Sequence, residues 1–245
     1  MHTSEGRWVI GVLLLSSVSV ALAQLPCGYT VEAIIQGPPL PPPSQSQPPT
    51  TVTGMNNVGQ VVGSHATLGD YSRGFVWSKE TGIQWLPVPP GAYAVLPADI
   101  NDHGVIVGQI ERPGGTRGFV YENGHYTILE PAPGGLWCWA IGINNAGQVV
   151  GARSVGNPDT PGDDVNPMQV FRWSDGVLQD LGTMVGKQSE AFAISEAGQV
   201  VGWSGSSAGN SKPFLWENGH FVPLLPGFDV ITGAGMGFGP EGEVV

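Results

Sequence analysis

The sequence predicts an all-β fold, a β-propeller built from four-stranded repeats of about 44 residues. Three observations predict it. One short phrase returns along the chain at spacings of 43, 44, 45 and 51 residues, a period close to that of propeller blades. Each complete copy is followed by a second hairpin signal. The composition favours turns over helices: 38 Gly and 22 Pro make up about a quarter of 245 residues, whereas helical bundles and coiled coils draw on Ala, Glu, Lys and Leu. With 41% hydrophobic residues the chain can still build a core.

Taken in order, the elements begin with a segment that does not belong to the fold. Arg7 precedes an apolar run from Trp8 to Val20, and Ala21-Leu22-Ala23 supplies small residues at the −3 and −1 positions of a cleavage site. Residues 1–23 therefore read as a secretory signal peptide, with cleavage before Gln24. The run is shorter than the ~20 residues a spanning helix needs, and no later stretch could cross a membrane. A secreted, extracellular or periplasmic location is expected. Outside the cytosol two cysteines can pair, so Cys27 and Cys138 are the candidate disulfide. The bridge would close a loop of about a hundred residues, worth up to roughly 4–5 kcal/mol in a chain-entropy account.

Residues 24–36 contain a single strand, Tyr29 to Gln36, similar to the last strand of a repeat and able to close a ring. Residues 37–50, rich in proline, read as an extended polyproline II connector. Residues 51–245 hold four complete repeats and a truncated fifth; the last copy stops inside its phrase, so the sequence is expected to continue in a longer protein.

The repeated phrase is Asn56-Asn57-Val58-Gly59-Gln60-Val61-Val62-Gly63, then Asn101 to Gly108, Asn144 to Gly151 and Ser195 to Gly202, with a fifth copy from Gly239 to Val245. Its first half has the residues of a type I turn, with Asn or Ser first and Gly fourth. Strands ending at Met55, Ile100, Ile143 and Ile194 should lead into these turns, and strands through the paired valines should leave them. Adjacent valines point to opposite faces, so these strands are expected to be covered on both sides, as when blade packs on blade.

The second hairpin starts with aromatics two apart: Phe75 and Trp77, Phe119 and Tyr121, Phe171 and Trp173, Phe214 and Trp216. Asn123-Gly124, Asp175-Gly176 and Asn218-Gly219 then give strong hairpin signals; the first repeat uses the looser Lys79-Glu80-Thr81-Gly82. Two hairpins make four strands, one blade. The Trp residues of these strands are expected to be core between blades. Residues 152–168 enlarge the third repeat and contain Asp159, Asp163 and Asp164. Clustered carboxylates are candidate ligands for Ca²⁺; a plain acidic loop is the alternative.

These repeats resemble the HAF family of bacterial extracellular repeats. The best match runs from Phe171-Arg172-Trp173-Ser174-Asp175-Gly176 through Asp180-Leu181-Gly182-Thr183 to Ala191, Ile194 and Gly202. The resemblance covers about residues 52–245. In place of the family's His-Ala pair this sequence has Arg73-Gly74, Arg117-Gly118, Gln169-Val170 and Lys212-Pro213, and only the third repeat keeps Asp-Leu-Gly-Thr. The resemblance implies an exported bacterial protein of undefined activity.

Charge narrows the function. Nine Lys and Arg stand against 20 Asp and Glu, a net charge of −11, which argues against nucleic acid, whose binding needs cations to neutralise phosphates. No nucleophile motif, phosphate loop or Cys/His metal spacing emerges. His125 and His220 fall at matching positions after Asn-Gly turns, which points to turn chemistry; His65 and His103 are singletons. A sugar-cleaving propeller would need two carboxylates within roughly 5–10 Å, and Asp99, Glu190 and Asp229 are the candidates, read as lying near the starts of innermost strands. Trp137 and Trp139, flanking Cys138, are candidates to stack a sugar ring. The expected function is an exported, non-catalytic scaffold that binds a protein or glycan. The alternative is a propeller that binds or cleaves carbohydrate.

Overall fold

The computed structural model describes residues 50–66, 72–156, 167–205, 211–224, 237–239 and 243–244. These residues form strands and turns, with no helix among them. The first repeat contributes β1 (Thr50–Met55), β2 (Val61–Ala66), β3 (Ser72–Ser78) and β4 (Gly82–Trp85). The second contributes β5 (Ala94–Ile100), β6 (Ile106–Arg112), β7 (Gly115–Glu122) and β8 (His125–Leu129). The third has β9 (Cys138–Ile143), β10 (Val149–Ser154), β11 (Met168–Ser174) and β12 (Val177–Gly182). The fourth has β13 (Gln188–Ile194), β14 (Val200–Gly205), β15 (Ser211–Glu217) and β16 (His220–Pro223).

Within each repeat, neighbouring strands pair antiparallel in sequence order. Single parallel pairs, Ser72 with Ala94 and Met168 with Gln188, join the repeats two by two into a pair of eight-stranded mixed sheets. An isolated parallel bridge between Thr116 and Trp137 links the second repeat to the third in the same way.

The turns form as their residues dictate. The amides of Gly59, Gly104, Gly147 and Gly198 donate to the carbonyls of Asn56, Asn101, Asn144 and Ser195 at 2.9–3.3 Å. The described part of the fifth copy keeps the pattern, with Gly239 donating to the Glu243 carbonyl at 2.8 Å and Phe238 bridging to Val244. In the second hairpins Asn123, Asp175 and Asn218 take positive φ, as do the glycines after them, the geometry of a type I′ turn that matches the strand twist.

The terminal glycine of the valine phrase has a separate cause. Every first strand carries a one-residue bulge, at Thr53, Ala98, Ile141 and Phe192. Next to it, a Cβ on Gly63, Gly108, Gly151 or Gly202 would fall on the carbonyl oxygen of Thr51, Leu96, Trp139 or Glu190. The bulge draws that carbonyl over the second strand, and only a residue without a side chain fits beneath it.

Each unit has two unlike faces. Val62 and Val76 of the first repeat pack against Ile106, Ile110, Phe119 and Tyr121 of the second. Val107 and Val120 of the second meet Val149, Phe171 and Trp173 of the third. Val150 and Val170 of the third meet Val200, Phe214 and Trp216 of the fourth. The aromatic face of one unit thus covers the valine face of the unit before it, and Phe75, Phe119, Phe171 and Phe214 are fully buried. At about 25 cal/mol per Å² this repeated burial is the main force holding unit to unit.

Two expected boundaries move. Thr50, expected to end the connector, already pairs with His65 in β1. The insertion expected over residues 152–168 is shorter, because Ala152, Arg153 and Ser154 continue the β10 ladder against Val170, Gln169 and Met168.

Candidate functional site

The carboxylates singled out from the sequence lie at different levels. Asp99 is the next-to-last residue of β5, whereas Glu190 is the third residue of β13. Counted back from the strand end they are three positions apart, roughly 10 Å of strand rise, and they sit in the second and fourth units. Of these two, Glu190 is the one near a strand start. Asp99 accepts a 2.8 Å hydrogen bond from the Ile100 amide and a 3.1 Å bond from the Ile143 amide of the next unit. Burial raises its pKa, and the Ile143 and Ile100 amides pull the other way. Glu190 accepts a 3.2 Å bond from the Trp203 indole, and burial raises its pKa against that bond. Asp229 lies outside the described residues.

Sequence reasoning assigns the phrase asparagines to turn formation alone. They also tie the units together. The side-chain amide of Asn56 donates to the Asn101 carbonyl at 2.9 Å, that of Asn101 to the Asn144 carbonyl at 3.1 Å, and that of Asn144 to the Ser195 carbonyl at 3.0 Å. A second row runs beside the first. The Asn57 amide meets Asp102 at 2.7 Å, the Asp102 amide meets Asn145 at 2.9 Å, and the Asn145 amide meets Glu196 at 3.1 Å. Three contacts from Asn57 and Asn145 hold the pKa of Asp102 below its ordinary value, the Asn57 side chain first among them. The sequence signal is Asn recurring where Asp or Ser would serve a turn equally well, since Asn alone of the three adds an amide donor.

Trp137 precedes β9, and Trp139 lies within it opposite Ala152; both are partly buried. The backbone of Trp137 is fixed by Ser154, whose hydroxyl accepts from the Trp137 amide at 2.8 Å and the Leu136 amide at 2.7 Å. Cys138 points the other way, fully buried in the core against the second unit, and burial pushes its thiol up to about 12. Its expected partner Cys27 lies outside the described residues, as do Asp159, Asp163 and Asp164. Among the described residues no group of three His, Cys, Asp or Glu is placed to hold a metal ion.

His125 and His220 open the strands after their turns and are exposed, and His103 is exposed within its turn. His65 belongs to a cluster that the sequence does not reveal. On the aromatic face of the first unit it shares a 2.7 Å hydrogen bond with Thr50. Its ring centroid lies 6.1 Å from that of Trp85. The Arg73 guanidinium sits over the Trp85 ring, 5.1 Å from the centroid. The buried Phe75 ring meets the indole in a T-shaped contact, 6.1 Å between centroids. Trp85 is 42% exposed and Arg73 is exposed.

Homologous positions make this cluster unusual. Strand register matches Arg73 to Arg117 and Trp85 to Ile128. Arg117 forms an ion pair with Glu130, which also binds Arg112 at 3.0 Å. At the place of Glu130 the first unit has Pro87. In the third unit, Arg153 and Asp180, at the places of His65 and Trp85, form a two-pronged pair at 2.6 Å. Arg73 alone of these arginines has no carboxylate partner among the described residues.

No helix of the described residues is long and apolar enough to cross a membrane. No protein-family model matches the chain, and no curated protein matches it in sequence. Among solved structures it is similar to TolB from Acinetobacter baumannii, with a TM-score of 0.51 and 15% identity over 80% of this chain and 48% of that one. A gluconolactonase from Xanthomonas campestris matches with a TM-score of 0.46 and 14% identity over 81% of this chain and 69% of that one. An Aleuria aurantia lectin mutant in complex with Fucα1-6GlcNAc matches at 0.44 and 11%, over 77% and 66%. The chain spans about half the length of the TolB chain. The TolB likeness speaks to architecture alone, and it agrees with the strands: the chain has an all-β, β-propeller-like fold.

Proposed function

We propose that the chain is an exported, non-catalytic scaffold of HAF-type repeats that presents its surface for binding. The observation that carries this reading is the use made of Asp99. Both of its oxygens are engaged by backbone amides, one of them from the following unit, so this buried acid serves as a fastener. A general acid or base needs its proton-carrying oxygen free to reach substrate. The remaining polar repeats, from Asn56 to Glu196, are likewise spent on joining units.

A carbohydrate-active propeller is the second reading, and Glu190 is what favours it. Its raised pKa and single indole partner suit a proton donor. The two readings separate in one assay. Purified protein is incubated with polysaccharide and peptide panels while reducing ends and new termini are counted, and binding is read on glycan and protein arrays. Binding without turnover is expected. Turnover abolished in Asp99→Ala, Glu190→Ala or Asp229→Ala would replace the scaffold by an enzyme.

A further inference from the structure

We propose that Arg73, Trp85 and His65 on the first unit form a binding site for a carboxylate-bearing sugar, a uronate residue within an acidic glycan. The inference rests on the binding reading above and gives it a site and a ligand class.

An exposed arginine in a protein is usually neutralised by a nearby acid or left in water at little cost. Here the same strand position is neutralised in the second unit, by Glu130 on Arg117. In the first unit Pro87 stands at the place of that acid, no carboxylate among the described residues pairs with Arg73, and the guanidinium instead lies over an indole, 5.1 Å from its centroid. A guanidinium held over an aromatic ring still has N–H donors to give, and its forked edge matches a carboxylate with two parallel hydrogen bonds. Such charge-assisted pairs are about twice as strong as neutral ones.

Trp85 supplies the second element. A Trp this exposed on a strand is an apolar surface presented to solvent, and two rings pack beside it. Phe75 supports it edge-on and His65 flanks it. His65 is held in turn by Thr50, so its ring is oriented before any ligand arrives, which lowers the ordering cost of binding. A pyranose carrying a carboxylate offers an apolar C–H face and an anion within one rigid ring, the two features that Trp85 and Arg73 present about 5 Å apart. An acidic peptide offers the anion on a flexible stem and no matching ring face. Arg172 also lies over an indole, 5.2 Å from the Trp216 centroid, but Trp216 is 7% exposed and Arg172 is committed to Gln179 at 3.2 Å. That pair is packing between units; the Arg73 pair opens to solvent.

Calorimetric titration of the full chain with an oligogalacturonate tests the proposal. The wild type is expected to bind, and to bind more weakly at about 0.5 M salt, where charge is screened over a few Å. The methyl-esterified oligosaccharide keeps the ring and loses the charge. It is expected to bind on the order of tenfold more weakly, the size of one hydrogen bond to a charged group. Arg73→Gln should weaken oligogalacturonate by a similar factor, Arg73→Lys by less, and Trp85→Leu should lose binding. Arg112→Gln should bind as the wild type does. Polyglutamate should bind more weakly than oligogalacturonate at equal charge. The methyl-ester comparison uses unmodified protein, so it holds even where a variant folds poorly. Absence of oligogalacturonate binding, equal binding of the ester, indifference to Arg73→Gln, or equal binding of polyglutamate would each overturn the site. Binding of other ligands unaffected by these variants would sink the site and leave the scaffold standing. Hydrolysis of oligogalacturonate lost in Glu190→Ala would sink the scaffold and leave the site.

Discussion

Asn101 gives its side-chain amide to the Asn144 carbonyl of the next unit at 3.1 Å while its own carbonyl accepts the same bond from Asn56 at 2.9 Å. Its side-chain oxygen meanwhile accepts from the His103 and Val105 amides at 3.1 and 3.0 Å. One buried residue therefore closes its own turn and fastens two junctions. Asn101→Asp retains the acceptor and loses the donor, and it sets a charge against the Asn144 carbonyl. It should lower stability by roughly 2–3 kcal/mol in urea unfolding, the range for an unmet buried polar group. Asn57→Ala removes the exposed side-chain bond to Asp102 and keeps the backbone one, and it should cost less than about 1 kcal/mol.

Two kinds of glycine can be separated by the same measurement. At Gly151 a side chain would collide with the Trp139 backbone and with Phe171. Gly151→Ala should therefore cost roughly 3 kcal/mol or prevent folding, as overpacking against an unyielding backbone does. Gly124 has φ +82° and open space where a Cβ would stand. Gly124→Ala pays only for left-handed backbone, about 1–2 kcal/mol. A reversed order of the two unfolding midpoints would contradict the bulge account of the valine-glycine phrase.

Most of this architecture can be read from the residues because its signals are local. Asn-Gly pairs specify their own turn geometry, and strands ending at Met55, Ile100, Ile143 and Ile194 follow from the turn residues after them. The alternation of Phe and Trp places both on one face, and Phe119 and Tyr121 do pack on the neighbouring unit. What stays hidden depends on register between strands. The approach of Trp85 to Arg73 and His65 joins β2, β3 and β4, and Trp85 stands outside the repeated aromatic pattern. The level of Asp99 is illegible for a related reason: a bulge at Ala98 and a bond to Ile143 have no signature in a single strand. Cross-unit bonds of Asn56 are masked because the turn alone already explains an asparagine there.

The buried Cys138 gives a chemical test of the junction between the second and third units. With its thiol pushed up to about 12 by burial, it carries almost no thiolate at neutral pH and has no path to a reagent. Native protein should leave Cys138 unlabelled by a thiol reagent at pH 8 over hours, and denatured protein should label it; a need for added reductant in the denatured state would report a bond to Cys27. Slow labelling that scales with the opening of β7 against β9 in hydrogen exchange would report the stability of that junction. Rapid native labelling would show that the Cys138 core is not closed.

Asp99 sets the sign of a pH effect. Its folded pKa is raised above the ordinary carboxylate value because burial penalises the charged form more than the Ile143 and Ile100 amides favour it. A carboxyl raised on folding binds its proton more tightly in the native state. Its contribution to stability is complete below the unfolded pKa and is lost as pH rises through the folded one. Glu190 is shifted the same way, by burial opposed by the Trp203 indole. Both groups should thus make the fold relatively firmer in mild acid, against the usual trend for ion-paired carboxylates such as Asp180 with Arg153. Asp99→Asn cannot titrate. Subtracting its unfolding free energy from that of the wild type, point by point from about pH 4 to pH 8, isolates the Asp99 term from every other group. That difference should fall steadily as pH rises. If it rises instead, the two amides outweigh burial and Asp99 is stabilised in its charged form, which would make it a stronger fastener at neutral pH than its surroundings imply.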